Sequence, residues 1–262
     1  LRSRGLGDVY KRQVIGKENN YNVTNIRFPD SVCVILEDGL KVDLRGNEGS
    51  YSNGDVEVAA RQSIKGLNFY LNSTKKVSWV NVEWNIPHSD DTLILGDHWE
   101  RGYGDLQWKK TDSTRILPWY FMEYDGRNCK GLGVMTGASS FCAWFVGVDK
   151  LRLQMDVRNG SKGVDLRNRE LNMATVIGYD APEGEKPFYA LKNFCKAMCP
   201  SPILPKQPVY GINDWYFAYG NNSDKLILQT VDLTADLATD TNNTPYCVIA
   251  VSYTHLTLPT NS

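Results

Sequence analysis

The spacing of apolar residues changes once along this chain, and that change limits the folds open to it. From Val14 to about Val157 the apolar residues alternate or come in short runs, as strands require. Leu151, Leu153, Met155 and Val157 alternate with Arg152, Gln154, Asp156 and Arg158, an antiparallel strand with one face buried and one in water. Val32 to Leu36 and the alternating Leu40, Val42 and Leu44 flank Glu37-Asp38-Gly39, a hairpin turning at Asp-Gly. Further runs at 77–82, 93–95, 116–120, 133–136 and 141–146 are separated by Gly, Asn, Asp and Ser. Many short strands punctuated in this way predict a mainly β protein whose first domain, residues 14–203, is a large β-sandwich.

From Lys186 the spacing becomes helical as far as Met198, and Cys199-Pro200 closes that run. A linker with prolines at 202, 205 and 208 follows, leading into Val209-Tyr210-Gly211, a short apolar strand. Ser223 is a good N-cap for a helix running to about Ala238, with Leu226, Ile227, Val231 and Leu237 on one face. Pro245 then introduces Tyr246 to Ile249, a strand of the buried, parallel kind. Strand, helix and strand make one βαβ unit, so residues 204–250 are expected to begin a second domain.

The ends read differently. Asp8 to Gln13 back-translates to the mosaic end of a transposase adapter, and Ser3 to Gly7 to the rest of the same arm. Val251 to Thr260 fits the reverse complement of the mosaic end followed by the opposite arm. Residues 1–13 and 251–262 are therefore expected to be adapter-encoded rather than native, and to pack on nothing. Leaving out Arg2, Arg4, Lys11, Arg12 and Asp8 takes the net charge from −1 to −4. With that balance and no basic stripe, nucleic acid is excluded as a partner. No apolar run reaches the roughly 18 residues of a spanning helix, so no membrane partner is expected either.

Two segments concentrate chemistry. Leu95 to Trp108 sets Asp97, Glu100, Arg101 and Asp105 among Trp99, Trp108 and three glycines. Carboxylates and guanidinium groups bond sugar hydroxyls while indoles cover the apolar C–H face; a charge network stapling a loop would use the same residues. Tyr210 to Gly220 places Asn213, Asp214, Trp215 and further aromatic residues where the first strand of the second domain ends. In a (β/α) barrel, that end of a strand carries the site. Elsewhere the signals are structural. Cys195 and Cys199, one helical turn apart, read as buried thiols, since no further Cys or His pair completes a metal site. His88 and His98 read as loop hydrogen-bonding groups, because no Gly-x-Ser-x-Gly elbow offers a nucleophile. Gly131-Leu132-Gly133 lacks the continuation of a phosphate loop.

A sandwich, a proline-marked linker, then Tyr210-Gly211-Ile212-Asn213-Asp214-Trp215 and Tyr246-Cys247-Val248-Ile249 resemble the melibiase-type glycoside hydrolases. These are the family 36-like α-galactosidases, in the clan that also holds family 27. The resemblance implies an N-terminal β-supersandwich followed by the first βαβ unit of a truncated (β/α)8 barrel. It implies a retaining hydrolase that removes terminal α-galactosyl residues, with no cofactor and no metal. It places Asn213, Trp215, Asp97, Trp99 and Arg101 in substrate binding. The catalytic nucleophile and acid/base are expected from later barrel strands, so no carboxylate of this chain is assigned either role and the chain itself is expected to be inactive. The other readings are an α-N-acetylgalactosaminidase or transglycosylase on the same scaffold, and a non-catalytic carbohydrate-binding sandwich. A homo-oligomeric parent is compatible with each.

Overall fold

The computed structural model describes residues 23–249, apart from 25, 90, 101, 103, 168, 220 and 239–241. The expectation that the adapter-encoded ends pack on nothing falls outside these residues. The chain divides into two compact units, one ending at Ser201 and the other taking Pro202 onward.

The first unit is mainly β. Its early strands are β1 Val23–Thr24, β2 Ser31–Leu36, β3 Lys41–Asn47, β4 Ser50–Ser52, β5 Val56–Ser63, β6 Gly66–Ser73 and β7 Val77–Asn85. They are followed by β8 Leu93–Gly96, β9 Asp112–Pro118, β10 Tyr120–Tyr124, β11 Cys129–Val134, β12 Phe141–Val146, β13 Lys150–Asp156 and β14 Leu171–Asp180. Among the described residues these form one antiparallel sheet in the order β8-β10-β11-β14-β6-β5-β4-β3-β2-β7-β13-β12-β9, with β1 beside β14.

Two corners fold this sheet onto itself. In β3, Lys41 to Leu44 pair with β2 while Arg45 to Asn47 pair with β4. Between β9 and β10 the chain turns at Trp119, whose N–H donates to the Cys142 carbonyl of β12 at 3.0 Å. Its carbonyl accepts from Val134 of β11 at 2.9 Å, so a single residue bonds both halves. The sheet is nearly closed. At the seam, Ile94 and Lys109 exchange backbone hydrogen bonds of 2.6 and 3.0 Å, and the Arg115 guanidinium donates to the Ile94 carbonyl at 3.1 Å.

The core lies between the halves. Trp84 of β7 and Trp144 of β12 stack at 6.0 Å, and Phe69 of β6 and Phe121 of β10 meet them edge-on from the other side. All four are fully buried, each withdrawing roughly 150–250 Å² from water. Leu151, Leu153 and Met155 of β13 point into this core, as their alternation predicts. The outer face over β11 is covered by helix α1, Pro187–Met198, which buries Ala190, Phe194, Ala197 and Met198. Gly131 and Gly133 let it approach: a Cβ at either position would lie 2.7–2.8 Å from the Phe194 ring. Close packing explains that glycine pair.

Strand structure continues past Val157, where the alternating pattern stops. The ten-residue β14 sits inside the sheet between β11 and β6. Its Met173, Ala174, Val176 and Ile177 are buried with little regard to parity, because a register shift falls between Asn172 and Ala174 and α1 covers its other face. The run expected at 116–120 is two strands, broken at Trp119 by a left-handed backbone (φ 66°).

In the second unit, β15 Gly211–Asn213 and β16 Tyr246–Val248 pair in parallel, in the register Gly211↔Tyr246 to Asn213↔Val248. A short helix α2, Trp215–Ala218, and a longer one, α3 Asp224–Leu237, connect them. The pattern is the expected strand, helix, strand, with the first strand two residues later than Val209. Gly211 opens the pairing, and a Cβ there would collide with the Tyr246 carbonyl oxygen. Ser223 caps α3 by accepting from the Leu226 N–H at 3.3 Å. The expected apolar face is only partly used. Leu226 and Ile227 are half-buried, while Val231 and Leu237 are exposed; among the described elements the helix packs mainly on β15 and β16.

Candidate functional site

The segment after β8 is held from below by Arg115 of β9. Its guanidinium donates to the carbonyls of Asp105 (2.9 Å) and Gln107 (3.0 Å) as well as Ile94. Asp105 also pairs with Lys109, whose hydrogen bond holds that carboxyl below its usual range. The loop is stapled by this Asp105–Lys109 ion pair and by Arg115, which bonds backbone carbonyls rather than the Asp or Glu carboxylate of the expected network. Arg101 lies outside the described residues.

Asp97 is half-buried and accepts from the His98 N–H at 2.8 Å. Trp99 is 51% exposed, and two rings that the sequence did not single out join it. Trp119 meets it edge-on at 5.6 Å and Phe141 at 6.2 Å, with 6.1 Å between Trp119 and Phe141. Phe141 is 62% exposed, so the trio presents aromatic surface to solvent. Chain separation hides this grouping in the sequence. The one local signal is Pro118-Trp119, a proline ahead of a bulky residue at a bend. Trp108 has a structural role instead, packing on Tyr124 at 5.9 Å.

The second group rides the carboxyl end of β15. Asn213 ends that strand, and its side-chain oxygen accepts from the Trp215 N–H at 2.9 Å, an Asx turn that starts α2. Trp215 is 39% exposed and meets Tyr219 edge-on at 5.6 Å; Tyr216 is 79% exposed. The adjoining Asp214 is buried, and its N–H donates to Val248 at the end of β16 at 3.3 Å. An amide and two indole or phenol rings thus stand where the two parallel strands end, the position at which open α/β sheets hold ligands. Asp97 and Trp99 share one segment of the first unit, and Asn213 and Trp215 share one turn of the second.

The buried thiols of the first unit offer no nucleophile. Burial pushes Cys142 up to about 11 and raises Cys129 as well. The reading of Cys195 and Cys199 as buried thiols is corrected: Cys195 is exposed and Cys199 half-buried, because α1 turns Phe194 and Met198 inward instead. Among the described residues no group of three or more His, Cys, Asp or Glu could hold a metal ion. No described helix is long and apolar enough to cross a membrane. His88 and His98 both make loop hydrogen bonds, to Glu123 and to the Glu100 carbonyl, each at 3.1 Å.

No protein-family model and no curated protein matches the chain. Solved structures to which it is similar include the family 36 α-galactosidase AgaA of Geobacillus stearothermophilus in complex with raffinose, at 11% identity and a TM-score of 0.39. Another is a cycloalternan-degrading enzyme of Trueperella pyogenes, at 12% identity and a TM-score of 0.33. The alignments cover 82% and 81% of this chain but only 39% and 36% of theirs.

Proposed function

We propose that this chain is the N-terminal part of a retaining glycoside hydrolase that removes terminal α-galactosyl residues from oligo- or polysaccharides. In this reading the first unit is the β-supersandwich, residues 14–203. Residues 204–250 open a (β/α)8 barrel. The observation that carries it is the parallel β15–β16 pair with Asn213 and Trp215 at its carboxyl end, where a barrel binds substrate. Asn213 would bond a sugar hydroxyl and Trp215 would cover the C–H face of the pyranose. On the first unit, the same reading assigns Asp97, Trp99 and Arg101 to sugar binding. Retention needs two carboxyl groups about 5 Å apart, one attacking the anomeric carbon and one protonating the leaving oxygen. Both are assigned to later barrel strands, and neither step needs a metal or cofactor.

The test has two arms. With p-nitrophenyl α-galactoside the chain should release no more nitrophenol than its Trp215→Ala variant. In saturation-transfer NMR, methyl α-galactoside should receive magnetisation from the protein at its ring protons, and this transfer should vanish in Trp215→Ala. Turnover above the variant would overturn the assignment of catalysis to later strands. No transfer to the sugar, or transfer indifferent to Trp215, would overturn the site.

A further inference from the structure

The connection from β7 to β8 crosses from one half of the folded sheet to the other, and His88 lies at its crossing point. The His88 N–H donates to the Val148 carbonyl, in the turn between β12 and β13, at 2.7 Å. Its ring Nε2 stands 3.1 Å from Glu123 Oε1 on β10, the strand that pairs with β8. The imidazole is only 3% exposed, and Glu123 is 28% exposed. Backbone and ring of one residue therefore tie both halves together where the sheet is nearly closed.

We infer that His88 is a proton-operated clamp, which holds the β7–β8 connection and the edge strand β8 against β10 when its ring is protonated and slackens when the proton leaves. The surroundings give the proton a definite effect. A cleft of about 240 Å³ beside the ring is lined by Glu123 and Asp125, by Lys130 of β11, by Asn128, and by the Ser89 and Thr92 hydroxyls of its own segment. Asp125 is occupied by the N–H groups of Asn128 and Arg127, which pull it down to about 2. Ser89 and Thr92 bond each other at 3.0 Å. At the start of β13, Lys150 stands 3.5 Å from Glu83 of β7. Glu123 is thus the carboxylate bonded to the ring.

Burial by itself would drive the proton off the imidazole. The hydrogen bond to Glu123 and that carboxylate's charge outweigh it, so the ring titrates above the ordinary histidine value. For a group raised on folding, the stabilisation is complete below the unfolded value of about 6.5 and is lost as pH rises through the folded value. The clamp is tight in mild acid and loosens toward alkaline pH. Because β8 leads directly into Asp97 and Trp99, the anchorage of that segment follows the same proton.

The test is an NMR titration of the histidine Cε1–H signals of the intact chain, with His88 assigned from His88→Gln. Its midpoint should lie above about 6.5 and fall in Glu123→Gln. In parallel, protection factors of the Leu93–Gly96 amides, corrected for intrinsic exchange, should drop on the order of five- to tenfold between pH 6 and 8.5, as expected when a charge-assisted hydrogen bond becomes neutral. In His88→Gln they should stay flat. A wild-type midpoint at or below 6.5 overturns the clamp, and that measurement needs no variant to fold. So does β8 protection that changes equally with and without His88.

Discussion

The Cys142 and Cys195 side chains have opposite environments within one fold. Cys142 faces the interior beside Ser140, and burial holds its thiol at about 11, far from reactive thiolate. Cys195 stands on the outer side of α1. Iodoacetamide at pH 8 should therefore alkylate Cys195 in the native chain and leave Cys142 and Cys129 untouched until denaturant is added, which peptide mass spectrometry reads directly. Residue burial is legible in the sequence where alternation is strict, as in Leu151, Leu153 and Met155. It is illegible for Cys195, because the helical spacing is equally compatible with Phe194 or Cys195 facing inward, and only the position of β11 decides. The same limit applies to the candidate site. Asn213 and Trp215 could be read because one turn contains both. Trp119 and Phe141 could not, since a corner and a strand start far apart in the chain bring them to Trp99.

At the scale of elements, caps and turns were the most legible features. Ser223 accepts from Leu226 as its position before an apolar run implies, and Asp224 adds a favourable charge to the first turn of α3. With little of that helix buried, the cap is a large share of what holds its start. Ser223→Ala should cost about 1 kcal/mol of local stability and raise the exchange rates of the Leu226 and Ile227 amides roughly fivefold, measured by hydrogen exchange with NMR. Strand ends were less legible. β15 begins at Gly211 rather than Val209 because close approach of the Tyr246 backbone, and not apolar character, decides where pairing starts. The run at 116–120 hid a corner, since apolar periodicity carries no signal for a residue that bonds both halves of a sheet.

At the scale of the whole molecule, the two units differ in how much of their apolar surface is covered. The first encloses a core of fully buried aromatic and aliphatic side chains. Among its described residues the second buries little more than Ala218 and Asp214, and they give its parallel pair less than the two-sided cover such strands normally have. Hydrogen exchange should accordingly show fast, uniform exchange after Pro202, while β6, β7, β13 and β14 exchange only through global unfolding. Slow exchange throughout Gly211–Val248 would contradict that expectation. A chain of residues 19–201 should retain the full near-ultraviolet signal of its buried tryptophans.

The placement of β14 has a further consequence, felt while the chain is being made. β6 pairs on one side with β5, its neighbour in sequence, and on the other with β14, in the register Leu71↔Leu171. At roughly 5–20 residues per second, the strand completing that edge leaves the ribosome on the order of 5–20 s after β6 does. During that interval a nascent strand with Leu67, Phe69 and Leu71 on one face presents an open hydrogen-bonding edge to any passing chain. The finished fold hides this hazard completely, because the last strand of the first unit to be synthesised is set into the middle of its sheet.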